Sequence, residues 1–256
     1  MPRPLNSPPA GVPRGRRRVL ALAAAAALLG ACGGPPRTAP VPAARPLPGA
    51  LVWMRQSAEY RALTRQTYAA ATARVQELAP AMVGANWGVI LDADETVLDN
   101  SRYELRRAAL DSAYTEPSWS AWVRDTAAPA IPGAVAFTDR VHALGGRVVI
   151  VTNRADSLCG PTRANLRRVG VRADLVLCQP PGQPDKNPRF EAVQRGTASP
   201  ALPPLDIAEW LGDNIQDFPG LTQASRGDAD AMALFGRRYF ALPNPVYGSW
   251  RPDTTL

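Results

Sequence analysis

Aspartate residues follow two apolar runs in this sequence, at spacings that suit phosphate or metal chemistry. Asp92 and Asp94 come directly after the run Trp87–Leu91, and Asp213 and Asp217 come after a second run. Two carboxylates so close together repel each other, and this repulsion raises the pKa of one of them unless a cation lies nearby. A site made of oxygen donors suits Mg²⁺, which keeps several waters and shares a substrate phosphate. We therefore predict a magnesium site that uses all four aspartates.

Other kinds of metal and catalytic site are excluded by residue counts and spacing. His142 is the one histidine, which is too little imidazole for zinc sites built on two or three histidines. A calcium loop that begins at Asp92 fails because its sixth position is Val97 rather than glycine, and its twelfth is Tyr103 rather than glutamate. Lys186 is followed by Asn187, so no Walker loop is present. If the chain is an enzyme, carboxylates carry its chemistry.

A phosphate ester at this cluster needs a nucleophile, a proton donor and groups that bind its oxygens. Asp92 can attack phosphorus, and Asp94 can protonate the leaving alcohol and then activate water. The hydroxyl of Thr152 can hold a phosphate oxygen, and Lys186 can neutralise charge in the transition state. Lys186 is the one lysine among 29 basic residues, and a compact ammonium fits where a planar guanidinium does not. Its survival by chance in an arginine-rich chain is the competing interpretation.

The elements that must position these residues are apolar strands alternating with helices. This alternation predicts a parallel sheet covered by helices on both faces. We expect strands at 87–91, 148–151, 173–178, 207–211 and 238–242, and helices at 51–78, 131–144, 160–169, 188–195 and 218–234. About fifty residues separate the first two strands, so we interpret 99–128 as a helical cap insertion.

The polar candidates fall at the ends of these strands. Asp92, Asp94, Thr152 and Asp213 each lie at or just past the carboxyl end of an apolar run. Ligands of open α/β sheets bind at that edge, so we expect these side chains to meet there. The competing interpretation is that strand-end aspartates only cap helices.

The N-terminal segment resembles a lipoprotein signal peptide. Arginines up to Arg18 precede the apolar stretch 19–29, which is too short for a stable membrane anchor. The sequence Leu29-Gly30-Ala31-Cys32 then resembles a bacterial lipobox, in which the cysteine is lipidated. We predict a signal peptide at 1–31, a Pro/Ala-rich tether at 32–50 and a catalytic domain at 51–256. An ordinary cleavage site with a chance cysteine is the alternative.

Charge and cysteine content bear on the partners and the compartment. The formal net charge of +7 falls to +2 without residues 1–32, which hold five arginines, so no nucleic-acid partner is expected. We expect a membrane partner through the lipid on Cys32 and a cell-envelope location, in the outer membrane or periplasm. Cys159 and Cys178 are disulfide candidates in an exported protein, but two buried thiols remain an alternative. The sequence leaves the oligomeric state open, with a homodimer as one expectation.

Four motifs together resemble the haloacid dehalogenase superfamily. They are Asp92-Ala93-Asp94-Glu95-Thr96, Val151-Thr152-Asn153-Arg154, Lys186, and Gly212-Asp213-Asn214-Ile215-Gln216-Asp217. The chain is similar in particular to the class C acid phosphatases, surface lipoproteins that include 5′-nucleotidases. Further matches are Asp99-Asn100-Ser101, Trp119 with Trp122, Arg189-Phe190 and Leu242-Pro243-Asn244-Pro245. The resemblance runs from about residue 51 to 251.

The resemblance implies a Rossmann-like parallel sheet with a small helical cap, and it implies roles for individual residues. Asp92 would be nucleophile and Mg²⁺ ligand, and Asp94 the acid/base, which touches the metal through its backbone carbonyl. Asp213 would be the other protein ligand, with Asp217 in support. Asn153 and Arg154 are assigned to substrate binding in the second motif. Tyr114 and Tyr247 match aromatic positions that hold the leaving group in relatives.

The resulting prediction is a Mg²⁺-dependent phosphomonoesterase that hydrolyses nucleoside 5′-monophosphates or related small phosphomonoesters through an aspartyl phosphate. A broad-specificity acid phosphatase or phosphotransferase is the nearest alternative. A non-catalytic surface lipoprotein that binds a ligand is an alternative of another class.

Overall fold

The computed structural model describes residues 46–251. The predicted signal peptide and the predicted lipidation of Cys32 lie outside this range, so they stay predictions. The α-helices are α1 (Gly49–Gln56), α2 (Ala58–Leu78), α3 (Ser101–Ala109), α4 (Glu116–Arg124), α5 (Ala134–Ala143), α6 (Cys159–Arg168), α7 (Asn187–Arg195) and α8 (Ala229–Met232). The strands are β1 (Trp87–Leu91), β2 (Arg147–Ala155), β3 (Leu175–Gln179), β4 (Asp206–Gly212) and β5 (Tyr239–Ala241).

The five strands form one parallel sheet in the order β3-β2-β1-β4-β5. Every residue of β1 is buried, as expected for a central parallel strand covered on both faces. From β1 the chain adds β2 and β3 on one side of the sheet and then β4 and β5 on the other side. The carboxyl end of β1 therefore lies at the crevice where such sheets bind ligands. The predicted α/β fold is confirmed.

Two short helices, α3 and α4, lie between β1 and β2 within the predicted insertion at 99–128. The hydroxyl of Thr115 accepts a hydrogen bond from the backbone N–H of Ser118, which starts α4. The apolar faces of these helices bury Tyr103 and Trp122, whose rings lie 6.4 Å apart. The helical insertion after the first core strand is therefore confirmed.

Two predicted helices differ from the observed ones. The helix expected at 51–78 is split at Ser57, whose extended backbone and side-chain oxygen cap the start of α2. The helix expected at 218–234 is wrong: this segment holds only a 3₁₀ turn at Gln223–Gly227 and the single turn of α8. Pro219, Gly220 and Gly227 interrupt the segment, and the helix propensity of its alanines does not overcome these breakers.

Cys159 and Cys178 form a disulfide that joins the start of α6 to β3, which settles the alternative left open by the sequence. No helix within residues 46–251 combines the length and the apolar character that crossing a membrane requires.

Candidate active site

Three carboxylates meet at the carboxyl edge of the sheet. Oxygen atoms of Asp92, Asp213 and Asp217 lie within 4.8 Å of one another. Asp92 follows β1, and its backbone N–H donates to the carbonyl of Leu211 at 3.0 Å, which fixes the start of the loop against β4. Asp217 ends a 3₁₀ turn that follows β4, and the close approach of Gly212 lets its carboxylate fold back toward the cluster.

Lys186 is the cation that this structure places among the carboxylates. Its side chain is 5% exposed, and its ammonium donates to Asp217 at 2.7 Å and also to Asp92. Burial raises the pKa of Asp92 to about 7, with Lys186 opposing the shift and Asp217 and Asp94 adding to it. The neighbouring carboxylates raise the pKa of Lys186, so it stays charged despite its burial.

Asp213 is held by donors from two separate segments. The hydroxyl of Thr96 donates to one of its oxygens at 3.0 Å, and the amide of Asn244 donates to the other at 2.9 Å. Burial, Asp217 and Asp92 together raise its pKa well above the usual range. Three carboxylates facing one ammonium therefore leave an excess of negative charge in a confined space. This all-oxygen donor set fits a hard divalent cation, which would relieve that repulsion.

The side chain of Asp94 points to different partners. The guanidinium of Arg154 donates to its carboxylate at 2.7 and 2.9 Å, and the amide of Asn100 donates at 2.8 Å. Trp122 in turn donates to the amide oxygen of Asn100 at 2.8 Å. Asp94 is thus oriented by groups from β2 and from the insertion, and its carboxylate is separate from the three-aspartate cluster.

The side chain of Arg154 is buried and bonded to protein groups, unlike a guanidinium that is free to bind substrate. Its side chain is 1% exposed, and besides Asp94 it contacts Asn100 at 3.3 Å and Thr162 at 3.4 Å. Its guanidinium carbon lies 5.4 Å from the ring centre of Trp119. The guanidinium is therefore engaged by protein groups, although the residue borders the cavity.

Thr152 and Asn153 lie at the end of β2, where its register against β3 becomes irregular. Thr152 is fully buried, and its hydroxyl accepts from the backbone N–H of Arg154 at 3.1 Å. Arg189 of α7 donates to the carbonyl of Thr152 at 2.7 Å and to the side chain of Asn153 at 2.5 Å. Arg189 thereby ties the helix that follows Lys186 to the end of β2.

A cavity of ≈ 940 Å³ opens above these residues. The residues that line it include the polar and charged group Asp92, Asp94, Asn153, Arg154, Lys186, Asp213 and Asp217, and the aromatic group Tyr103, Tyr114, Trp119, Tyr247 and Trp250. Tyr114 and Trp250 are 55% and 45% exposed. The lining of the site thus combines charged residues with aromatic residues, two of which are exposed to solvent.

All the residues predicted from the sequence within 46–251 are brought to this cavity except Thr152, which lies buried beside Arg154. Sequence reasoning did not assign roles to Glu95, Asn100 or Asn244, although each holds a site residue. Glu95 lies within the first motif and Asn100 lies four residues after it, and these positions were the available signal. Asn244 lies about thirty residues after Asp213, so only the folded chain shows their contact.

Comparison with known proteins places this geometry among phosphatases. Two structures of the class C acid phosphatase from Bacillus anthracis, one of them described as having tungstate bound, are similar to this chain. The similarity covers 78% of this chain and 84% of that chain, with 29% identity and TM-scores of 0.71 and 0.70. Two soybean (Glycine max) proteins, the stem 28 kDa and stem 31 kDa glycoproteins, are 24% and 26% identical over 62% of this chain. The match spans 58% of the length of each glycoprotein.

The family described as "HAD superfamily, subfamily IIIB (Acid phosphatase)" matches residues 35–250, a range that contains every group of the site. The order of the four motifs, the cap insertion and the cluster of strand-end aspartates all agree with that match. The chain therefore belongs to the acid phosphatase family that forms subfamily IIIB of the haloacid dehalogenase superfamily.

Proposed function

We propose that this protein is a Mg²⁺-dependent phosphomonoesterase that hydrolyses nucleoside 5′-monophosphates or related small phosphomonoesters. The observation that carries the proposal is the cluster of Asp92, Asp213 and Asp217 with the buried ammonium of Lys186, in a cavity that aromatic residues also line. Family membership supports the phosphatase chemistry.

The residues supply both halves of a two-step transfer. An oxygen of Asp92 forms a bond to phosphorus while the bond to the ester oxygen breaks, and Asp94 passes its proton to that oxygen, which leaves as the alcohol. Water then loses a proton to Asp94 and attacks phosphorus. The bond between phosphorus and Asp92 breaks, so inorganic phosphate leaves and both carboxylates return to their starting state. Arg154 and Asn100 hold Asp94 in place for both proton transfers.

Charge stabilisation comes from the same cluster. Asp92, Asp213 and Asp217 would hold the metal ion, which when bound supplies a Lewis acid that offsets the negative charge of the phosphoryl group. Lys186 adds a fixed positive charge at Asp92, and its burial among carboxylates keeps it from turning away into solvent.

The aromatic residues that line the cavity favour a leaving group with a flat ring, such as a nucleoside. Tyr114 and Trp250 are 55% and 45% exposed, and Tyr247 lines the same cavity. Planar bases stack on such rings. A broad-specificity acid phosphatase or phosphotransferase is the second candidate, since an open cavity also admits other esters.

The experiment that tests the chemistry is Asp92→Asn, which keeps the side-chain volume but removes the nucleophile. We expect Mg²⁺-dependent phosphate release from a nucleoside monophosphate to fall on the order of 10³-fold or more. Asp139→Asn is the matched control, because Asp139 forms only a surface pair with Arg172 at 3.8 Å. Residual turnover near the parent rate in Asp92→Asn, with circular dichroism unchanged, would reject Asp92 as the nucleophile.

A substrate panel separates the two enzyme candidates. A nucleotidase should give a higher kcat/KM for nucleoside monophosphates than for sugar or aryl phosphates, whereas a broad phosphatase should show similar values. A ligand-binding lipoprotein, the remaining alternative, would bind a nucleotide without releasing phosphate. The intact set of Asp92, Asp94 and Lys186 favours turnover.

We also propose that the protein is lipid-anchored at the cell envelope through Cys32. The lipobox-like sequence before Cys32 supports this proposal, as does the Cys159–Cys178 disulfide, since disulfides persist in oxidising compartments. The test is membrane fractionation of the full chain and of Cys32→Ala: release of the variant alone into the soluble fraction supports the anchor, and equal distribution rejects it.

A further inference from the structure

Glu95 stands next to Asp94, yet the proposed reaction gives it no task. Its backbone adopts φ = 52°, a left-handed conformation that glutamate rarely takes, and its side chain is 1% exposed. Its backbone N–H donates to the carbonyl of Leu98 at 2.8 Å, which holds the strained turn. A strained, buried acidic residue next to a reacting group indicates a functional role, and the hydrogen bonds of Glu95 show which groups that role involves.

The carboxylate of Glu95 joins two parts of the site. One oxygen accepts from the backbone N–H of Asn100 at 2.7 Å, and the other accepts from the side-chain amide of Asn100 at 3.2 Å. The second oxygen also accepts from the hydroxyl of Tyr247. The same amide of Asn100 donates to Asp94 at 2.8 Å. An unbroken series of hydrogen bonds therefore runs from Tyr247 through Glu95 and Asn100 to Asp94.

Tyr247 belongs to a C-terminal loop, residues 242–251, that several side chains attach to the site. The hydroxyl of Tyr247 donates to Glu95, and the amide of Asn244 donates to Asp213. The hydroxyl of Ser249 also donates to the side chain of Asn214 at 2.7 Å. The side-chain oxygen of Asn244 also accepts from the backbone N–H of Tyr247 at 3.3 Å. The loop that forms part of the cavity wall is therefore fixed to the two loops that carry Asp94 and Asp213.

We infer that Glu95 is a positioning residue that couples Tyr247, on the wall facing the leaving group, to the proton donor Asp94 through Asn100. This inference rests on the proposed phosphatase function. Its consequence is that the hydroxyl of Tyr247 affects the chemical step by orienting Asp94, besides any contact that the ring makes with substrate. The effect should therefore extend to esters that are too small to reach the ring.

The test is a double-mutant cycle with Tyr247→Phe and Glu95→Gln, measured on a nucleoside monophosphate and on methyl phosphate. Tyr247→Phe keeps the ring and removes only the hydroxyl. We expect each single variant to lower kcat about tenfold on both substrates, as the loss of a hydrogen bond to a carboxylate implies. The double variant should be no slower than the slower single variant, because both changes break the same series of bonds.

Tyr60→Phe is the matched control, because the hydroxyl of Tyr60 is buried without a hydrogen-bond partner in the described structure. Its kcat should equal that of the parent. A change in Tyr247→Phe confined to the KM of the nucleotide would overturn the inference, and so would multiplicative losses in the double variant. If Glu95→Gln does not fold, the kcat of Tyr247→Phe on methyl phosphate is the deciding measurement. A lower kcat supports the inference, and a kcat equal to that of the parent overturns it.

A stability readout separates failure of this inference from failure of the proposed function. If the parent protein hydrolyses neither ester, the proposed function fails, but the cycle can still be measured by urea unfolding. A Glu95–Tyr247 bond predicts that the two single losses in unfolding free energy do not add. Additive losses would reject the coupling whether or not the protein is an enzyme.

Discussion

Replacement of Lys186 should separate charge stabilisation in the reaction from assembly of the metal site. Lys186 is 5% exposed and bonded to Asp92 and Asp217, within a cluster that also holds Asp213. Lys186→Met removes the ammonium and leaves three carboxylates facing one another. Loss of one preorganised charge at the transition state predicts a fall in kcat of roughly 10²–10³-fold.

The same change should act oppositely on metal binding and on stability without metal. An ammonium this close to the carboxylates repels a divalent cation, so Mg²⁺ should bind Lys186→Met at least as tightly as the parent. Without metal, removal of one partner of a buried ion pair should lower the free energy of unfolding by about 3–5 kcal/mol. Mg²⁺ should then offset much of that loss, because it binds the folded state.

The measurements are kcat with saturating Mg²⁺, the Mg²⁺ dissociation constant from calorimetry, and urea unfolding in EDTA. Lys186→Arg keeps the charge and tests the shape of the cation, and we expect it to lose roughly 10²-fold in kcat because a planar fork does not replace a compact ammonium. A parent-like kcat in Lys186→Met would refute the role of the charge. Weaker Mg²⁺ binding in that variant would refute the electrostatic reasoning.

Three further outcomes follow from single features of the structure. Because burial raises the pKa of Asp92 from 3.8 to about 7, the folded state holds a proton that the unfolded chain releases, so metal-free protein should lose stability as pH rises from 3.8 to about 7. Thermal unfolding in EDTA checks this, and an absent slope, or one that persists in Mg²⁺, would contradict it. Replacing Cys159 and Cys178, 19 residues apart, by serine should lower the free energy of unfolding by about 3 kcal/mol in urea without reductant, and a loss equal to zero would show that the bridge does not constrain the unfolded chain. Gly212→Ala should weaken Mg²⁺ binding and lower kcat, because its Cβ would lie 2.2 Å from that of Asp217; calorimetry that gives parent-like binding would show that Asp217 is not needed there. Gly227→Ala, where nothing lies within 4 Å, is the control.

Prediction from the sequence was most successful where one residue pattern repeats along the chain. The strand before Asp92 is apolar throughout, as a parallel strand buried on both faces should be. The strand before Asp213 is mostly apolar, although it includes the buried Glu209. Segment 218–234 was predicted to be helical and is mostly irregular, because its breakers outweigh the helix propensity of its alanines. Ser57 divides the first helix through its side-chain cap, a local contact that apolar spacing does not reveal.

Taken by itself, the sequence determined which chemistry is available and which residues stand at the ends of strands. Asp92, Asp94 and Asp213 were named because each follows an apolar run, and Lys186 was named because it is the one lysine of the chain. The low histidine content was also decisive, because no fold can build a zinc site on two or three histidines from a chain that holds one.

Only the tertiary structure decided which of these groups touch. Arg154 is bonded to Asp94, Asn244 to Asp213 and Glu95 to Tyr247 across separations of 60, 31 and 152 residues. Such contacts depend on how the insertion and the C-terminal loop close over the sheet, and residue type alone does not specify that closure. The division between a carboxylate cluster that suits a metal and a separate, arginine-held Asp94 is therefore a property of the folded chain.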